Sequence, residues 1–349
     1  MTSSMLALGT TAQRAQMLEC GPCALLYAMR QRGSPGWTLA LADFAVDMVA
    51  GALTLAGATE VLVPASLVHF IESSRHQSEP WPWPAWDAAL AAQRLVSLVS
   101  AQDVARFVRG SSSSSSSSSG GGYGRAYNSL CIPVPAGPLV AQLDFGMPVE
   151  VFYGDRLPAV LDVVGGETRL RWRAWVRSAL TCAYEGSHVP PIRVAEYTSQ
   201  LLRQSGGCES VIWEAAVAGL TPRWLETAAK TALAVGVPPA SVTLALPEEP
   251  GRTPHLLAKS VEVGIAAWAS CAIADGAMYP HAAAAASPHS VQCFIVGWNE
   301  VSATARTSTL AADVDGDEAA AAADSVARCE DYVVAVSERA AALLPLVRN

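Results

Sequence analysis

The first part of the chain alternates apolar runs at helical spacing with short polar breaks. Residues 20–31 form one such run, which Gly33 and Pro35 end, and residues 38–50 form a second. A third run surrounds residues 62–71. Because apolar residues that recur every three or four positions line one face of an α-helix, this pattern predicts several packed helices.

The later part of the chain favours strands. After a short predicted helix and a turn at residues 146–148, the side chains of Val149, Val151 and Tyr153 occupy alternate positions, as in a half-buried strand. Further strand-like runs are LDVVGG, TRLRWRAWV and SVTLAL, with two more at residues 290–298 and 332–336. Helices early in the chain and strands late in it predict an α+β fold.

A serine and glycine tract separates these two parts. Residues 111–119 are all serine, and three glycines follow them. Such a segment cannot bury apolar surface, so it predicts an exposed linker. The chain is therefore interpreted as a helical lobe over residues 1–110, a linker over residues 111–124 and a sheet-rich lobe over residues 125–349.

The composition predicts a folded protein with a large core. Of the 349 residues, 51% are hydrophobic, and the formal net charge is −8. An acidic chain without a run of Lys or Arg is poorly suited to bind phosphates, so no nucleic acid partner is expected. The N-terminus does not resemble a signal peptide, and no apolar run reaches the roughly 20 residues that cross a bilayer. These features predict a cytoplasmic protein without a membrane partner.

The sequence Glu-Cys-Gly-Pro-Cys at residues 19–23 is the strongest candidate for chemistry. Cys20 and Cys23 have the spacing of the dithiol in thioredoxin-like oxidoreductases, where one thiolate attacks and the other resolves the mixed disulfide. A structural zinc site would require a second cysteine pair or a histidine pair at ligand spacing, and the sequence has neither. We therefore predict no metal and no other cofactor.

The alternative is that Cys20 acts alone as a nucleophile. It directly precedes a predicted helix, whose dipole and free backbone N–H groups favour a thiolate and can bind an oxyanion. Such a cysteine requires a histidine base from elsewhere in the fold. His289 is the candidate, because it follows a loop of small residues and opens the predicted strand at residues 290–298.

Three sequence blocks occur in an order that is typical of one enzyme family. They are QMLECGPCAL at residues 16–25, LVAQLDFGMPVEVFYGD at residues 139–155 and PHSVQCFIVGW at residues 288–298. The first resembles the nucleophile block of papain-like cysteine peptidases of the bacteriocin-processing type, and more closely that of actin maturation proteases. The third resembles the strand that carries the histidine of that family.

This resemblance implies a papain-like fold, in which a helical lobe faces an antiparallel sheet lobe, with an insertion around residues 165–280. It implies a cysteine aminopeptidase that removes the acetylated N-terminal residue of actin, its peptide partner. The implied site residues are the nucleophile Cys20, the base His289, the oxyanion-binding Gln16 or Gln13, and the orienting Asn299 or Asp313. Two alternatives stay open: a dithiol oxidoreductase that uses Cys20 and Cys23, and a peptidase-like binding protein without turnover.

Overall fold

The computed structural model of the protein describes most of the chain between residues 16 and 270 and part of the C-terminal segment. The described ranges are 16–31, 36–55, 58–75, 82–109, 127–166, 170–184, 188–203, 207–246 and 252–270, followed by 327–328, 331–332, 334–336, 338–339 and 343. Within these ranges, strands and helices alternate along the chain.

The strands in the described ranges are β1 (Gln16–Glu19), β2 (Glu60–Pro64), β3 (Leu95–Leu98), β4 (Ser129–Pro135), β5 (Arg171–Thr181), β6 (Cys208–Ala215), β7 (Val242–Ala245) and β8 (Ala267–Ser270). The α-helices are α1 (Gly21–Gln31), α2 (Leu39–Thr54), α3 (Ala65–Ser74), α4 (Pro84–Ala91), α5 (Val104–Arg109), α6 (Pro138–Asp144), α7 (Val149–Val151), α8 (Leu157–Gly165), α9 (Pro191–Arg203), α10 (Pro222–Ala234) and α11 (Thr253–Glu262). A π-helical turn, Phe152–Arg156, joins α7 to α8, and a 3₁₀ turn, Pro239–Ser241, precedes β7.

The eight strands form one closed barrel in chain order. Each strand pairs with the next one, β8 pairs with β1, and every one of these pairings is parallel. Parallel neighbours require a crossover connection, and a helix follows each of the first seven strands. The fold is therefore an eight-stranded β/α barrel, the TIM barrel.

Side chains alternate between the lumen of the barrel and the surrounding helices. The outward residues pack against the helices, as Trp213 of β6 does: its indole N–H donates to the Thr198 hydroxyl of α9 at 2.9 Å. Trp268 of β8 donates in the same way to Ser260 of α11 at 2.9 Å. The inward residues of the strands form a separate small cluster together with Cys20, which follows β1, and Cys23 of α1; the strand members are Leu18, Leu62, Val96, Cys131, Trp175, Ile212, Ala245 and Ala269.

A largely buried ion pair crosses the lumen near the amino ends of the strands. Arg173 of β5 donates two hydrogen bonds to the Glu60 carboxylate of β2, at 2.7 and 3.0 Å. Because β2 and β5 are not neighbours in the barrel, this pair spans the lumen. Arg173 is only 9% exposed, so it has little access to water.

The described C-terminal residues pack on the outer face of α2. The Tyr332 hydroxyl donates to the backbone carbonyl of Met48 at 3.0 Å, and Arg339 forms an ion pair with Asp47. At Gly51 a Cβ atom would lie 2.5 Å from the Tyr332 ring, so this glycine lets the ring lie directly on the helix. In the described part of the chain, no helix is long and apolar enough to cross a membrane.

The expected papain-like α+β fold with an antiparallel sheet lobe is wrong. The sheet is a closed parallel barrel, and strands on both sides of residues 111–124 belong to it. The helices expected over residues 20–31 and 38–50 are confirmed as α1 and α2, with Thr38 as the N-cap of α2. The strands expected in TRLRWRAWV and SVTLAL are confirmed as β5 and β7.

Three expected strands are helical instead. Residues 149–153 form α7 and the start of the π-helical turn, and LDVVGG belongs to α8. The buried residues of α8 are Leu157, Val160, Leu161 and Val164, a spacing of three and four that LDVVGG alone is too short to show. The strand expected at residues 332–336 is also helical where the structure describes it. The expected linker at residues 111–122 and the expected strand at residues 290–298 lie outside the described residues.

Candidate functional site

Two charged side chains reach the carboxyl end of the lumen from neighbouring strands. Trp175 of β5 and Ile212 of β6 are partners in the sheet register, and both belong to the inward-facing cluster. Because residues two apart share one face of a strand, Arg177 and Glu214 face the lumen one step nearer the carboxyl end. In TIM barrels this end of the strands carries the functional groups.

The Glu214 carboxylate is fully buried, and only one of its two oxygens accepts hydrogen bonds from the described residues. Its Oε2 accepts a hydrogen bond from Arg177 Nε at 2.9 Å and another from the backbone N–H of Ser178 at 2.7 Å. Glu214 is 0% exposed, and its Oε1 has no hydrogen-bond partner among the described residues. A buried acceptor without a donor is energetically costly, so a ligand that donates a hydrogen bond to Oε1 would be favoured there.

An irregularity in β5 directs the Ser178 amide towards Glu214. The register between β5 and β6 shifts between Val176 and Thr181, and Ser178 has a φ of 57°. A residue other than glycine rarely adopts this left-handed conformation, which costs roughly 1 kcal/mol or more. The backbone strain therefore coincides with the Ser178 amide, which contacts the buried carboxylate.

Two further residues extend the polar network towards the surface. Asp144, the last residue of α6, places its Oδ2 atom 3.9 Å from Arg177 Nη2. The Tyr184 hydroxyl, which lies in the turn after β5, donates to Asp144 Oδ1. Burial, and then the hydrogen bond to Asp144, raise the pKa of Tyr184, so its hydroxyl stays protonated at neutral pH.

The charges of this network suit a neutral hydrogen-bond donor better than a free anion. Two carboxylates, Glu214 and Asp144, surround the single guanidinium of Arg177. An anionic ligand group at Glu214 Oε1 would be repelled, whereas a hydroxyl group would donate its proton to that oxygen. Beyond Glu214, the next two strands of the barrel carry Ala245 and Ala269 at the same level. Their methyl side chains occupy little of the lumen on that side of Glu214.

The lumen beneath the network is apolar and contains three thiols. Cys20 and Cys131 are 0% exposed, and the Cys23 thiol donates to the Leu62 carbonyl at 3.5 Å. Burial, and then the proximity of Cys131 and Glu19, raise the pKa of Cys23 well above its ordinary value. A buried thiol with a raised pKa stays protonated and is a poor nucleophile.

The buried thiols predict a loss of stability in alkaline solution. Burial raises the pKa of Cys131 from 9.0 to about 12, so the folded chain holds this proton more tightly than the unfolded chain does. The resulting stabilisation is complete below pH about 9 and disappears as the pH rises towards about 12. We expect the free energy of unfolding, measured with urea, to fall over this range and to fall less in Cys131→Ala. Equal pH dependence in both proteins would contradict this assignment.

Of the residues that the sequence placed in one site, the structure describes Cys20 and Gln16. α1 begins at Gly21, directly after Cys20, as expected, but the Cys20 thiol faces the closed lumen. Gln16 opens β1, and a strand rise of about 3.3 Å per residue places it at the opposite end of the strand from Cys20. Gln13, His289, Asn299 and Asp313 lie outside the described residues.

A divalent or transition metal ion would require several ligating side chains around one point. The described residues contain no group of three or more His, Cys, Asp or Glu side chains that could hold such an ion. The part of the barrel mouth that the structure describes therefore does not fit a metal ion.

Sequence reasoning missed Arg177, Glu214, Asp144 and Tyr184. One signal was present in RWRAWVRS, where Arg171, Arg173 and Arg177 share one parity within a strand otherwise rich in apolar residues. Charged side chains on one face of a buried strand indicate a polar lumen or a site. The contacts that Asp144 and Tyr184 make depend on the barrel closure, which no local pattern predicts.

The chain is similar in fold to several solved lyase structures, while no family model and no curated protein matches it. The HMG-CoA lyase of Brucella melitensis superposes with a TM-score of 0.59 at 14% identity, over 94% of this chain and 100% of that one. The HMG-CoA lyase of Acinetobacter baumannii, in complex with coenzyme A and 3-methylmalate, gives 0.54 at 13% identity, over 84% and 89%. The carboxyl transferase domain of Rhizobium etli pyruvate carboxylase gives 0.52 at 13% identity, over 94% and 48%.

These similarities and the barrel overturn the expected cysteine peptidase. A papain-like fold is absent from the described residues, and the fold is that of lyases and a carboxyl transferase domain. The thioredoxin-like alternative and the peptidase-like binding protein are wrong for the same reason. The actin partner was inferred from the peptidase resemblance and loses its basis with it.

Proposed function

We propose that the chain is a carbon–carbon lyase that acts on a hydroxyl-bearing acyl compound at the carboxyl end of its barrel. The observation that carries this proposal is Glu214, a fully buried carboxylate with one oxygen free to accept a proton at the end where TIM barrels act. The fold similarity to HMG-CoA lyases, one of them bound to coenzyme A and 3-methylmalate, supports a 3-hydroxyacyl thioester as the substrate class.

The roles of the residues follow from their contacts. The substrate hydroxyl donates to Glu214 Oε1, and Glu214 then accepts its proton. The oxygen forms a carbonyl as the adjacent carbon–carbon bond breaks, and the electron pair of that bond remains on the departing carbon as an enolate. Glu214 returns the proton to that carbon, which balances the reaction. Arg177 and the Ser178 amide hold Oε2 and so fix the direction of Oε1.

A second candidate function is binding of the same compound without turnover. The specific observation in its favour is that Arg177 and the Ser178 amide both donate to Glu214 Oε2, which suits a fixed acceptor for a ligand hydroxyl as well as it suits a base. The cluster directly beneath Glu214 is apolar, and burial raises the pKa of its thiols Cys23 and Cys131, which makes them poor nucleophiles. A cleavage assay distinguishes binding without turnover from catalysis.

The test is cleavage of HMG-CoA by the purified full chain, with both products followed by mass spectrometry. We expect the wild-type chain to cleave it and Glu214→Gln to lose activity by about 10²-fold or more, because the general base is removed. The matched control is Glu209→Gln, which changes an exposed carboxylate at the amino end of the same strand. Binding without cleavage by the wild type would favour the second candidate, and equal rates in wild type and Glu214→Gln would reject Glu214 as the base.

A further inference from the structure

The polar network at the carboxyl end joins four residues from two strands and two connections of the barrel. Arg177 lies in β5 and Glu214 in β6, while Asp144 ends α6 after β4 and Tyr184 follows β5. The guanidinium of Arg177 is contacted on two sides, by Glu214 at Nε and by Asp144 near Nη2. The second oxygen of Asp144 accepts the Tyr184 hydroxyl.

The two carboxylates differ in exposure and therefore in role. The side chain of Glu214 is 1% exposed, whereas those of Arg177 and Asp144 are 26% and 22% exposed. The inner contact satisfies a buried charge, but the outer one lies near solvent at 3.9 Å, where an ion pair adds little to stability. The outer contact must therefore be explained by something other than stabilisation of the fold.

Orientation of Arg177 is that explanation. Rotation of the long Arg177 side chain would withdraw Nε from Glu214 Oε2, so each further contact of its guanidinium helps to keep that hydrogen bond. A second carboxylate on the far side restricts this rotation, and the Tyr184 hydroxyl in turn restricts Asp144. With Oε2 held in this way, Glu214 Oε1 keeps a constant direction towards the lumen.

We propose that Asp144 is a positioning residue of this site, which orients Arg177 on Glu214 and is itself held by Tyr184. Its kinetic consequence rests on the proposed lyase function, whereas its effect on the Arg177 side chain does not. Asp144 contacts Arg177 and Tyr184 and is assigned no direct contact with the substrate.

The kinetic test compares Asp144→Asn with Asp144→Glu in HMG-CoA cleavage. The first variant keeps the size but loses the charge, and we expect kcat to fall about tenfold to a hundredfold while KM changes less than about threefold. The second variant restores the carboxylate, and we expect it to recover part of the rate. The control is Asp155→Asn, an exposed carboxylate in the π-helical turn at the same end of the barrel. An unchanged kcat, or a loss confined to KM, would overturn the proposal.

A second measurement does not depend on turnover. The Nε–H signal of Arg177 in a ¹⁵N NMR spectrum reports how long this donor stays hydrogen-bonded. We expect its exchange with solvent to become about tenfold faster in Asp144→Asn and Tyr184→Phe, and to stay the same in Asp155→Asn. Faster exchange in a chain that cleaves nothing would support the positioning role and reject the lyase function. Unchanged exchange in both variants would overturn the positioning role.

Discussion

Replacing Glu60 by methionine is expected to lower the free energy of unfolding by about 3 to 5 kcal/mol. Glu60 is the partner of Arg173, which is 9% exposed inside the amino end of the lumen. A guanidinium does not lose its proton at any accessible pH, so the variant would leave a permanent charge buried without its partner. Urea unfolding of the two proteins at neutral pH measures the difference.

The control for this prediction is the double variant in which Arg173 is also replaced by methionine. Removing both charges leaves apolar side chains of similar length in an already apolar lumen. We expect the double variant to be more stable than Glu60→Met alone, because the unpaired charge has gone. A double variant that is less stable than Glu60→Met alone would contradict the claim that an unpaired Arg173 charge destabilises the barrel.

Replacing Trp213 by alanine is expected to cost about 3 to 5 kcal/mol of unfolding free energy. This side chain is 0% exposed between β6 and α9, and its removal leaves a cavity at the back of the strand that carries Glu214. We therefore expect a loss of stability together with weaker binding at the barrel mouth. The midpoint of thermal unfolding measures the loss of stability, and its rise on adding coenzyme A and 3-methylmalate measures binding.

Thr198→Val separates the hydrogen bond of Trp213 from its packing. The valine fills the same space but leaves the buried indole N–H without its acceptor, which costs about 1 to 3 kcal/mol. We expect this variant to lie between the wild type and Trp213→Ala in stability. A loss as large as that of Trp213→Ala would mean that the hydrogen bond, and not the packed ring, holds α9 on the barrel.

Local patterns predicted individual elements correctly where the period was long enough to read. α2 has sixteen residues and an N-cap threonine, and β5 has eleven residues, so each shows its own periodicity. β1, β3 and β8, which no pattern indicated, have only four residues each. Four residues do not show a period, and β2 runs directly into α3 at Ala65, so the two elements read as one apolar run.

The site was harder to predict than the elements, because it depends on closure of the barrel. Arg177 and Glu214 are 37 positions apart and meet only because β5 and β6 pair in parallel. The conspicuous motif, Cys20 and Cys23, lies in the same barrel, where both thiols are buried in an apolar cluster and burial raises the pKa of Cys23. A tetrapeptide fixes the chemistry of its side chains, while their environment decides whether that chemistry is used.

The most direct test of the lyase proposal is a crystal structure of the full chain with coenzyme A and 3-methylmalate. The account predicts that the ligand binds at the carboxyl ends of β5 and β6, with its hydroxyl about 2.5 to 3.0 Å from Glu214 Oε1. A ligand bound elsewhere, for example in the surface groove beside Arg203 and Val235, would contradict it. So would a ligand at the barrel mouth whose hydroxyl does not contact Glu214.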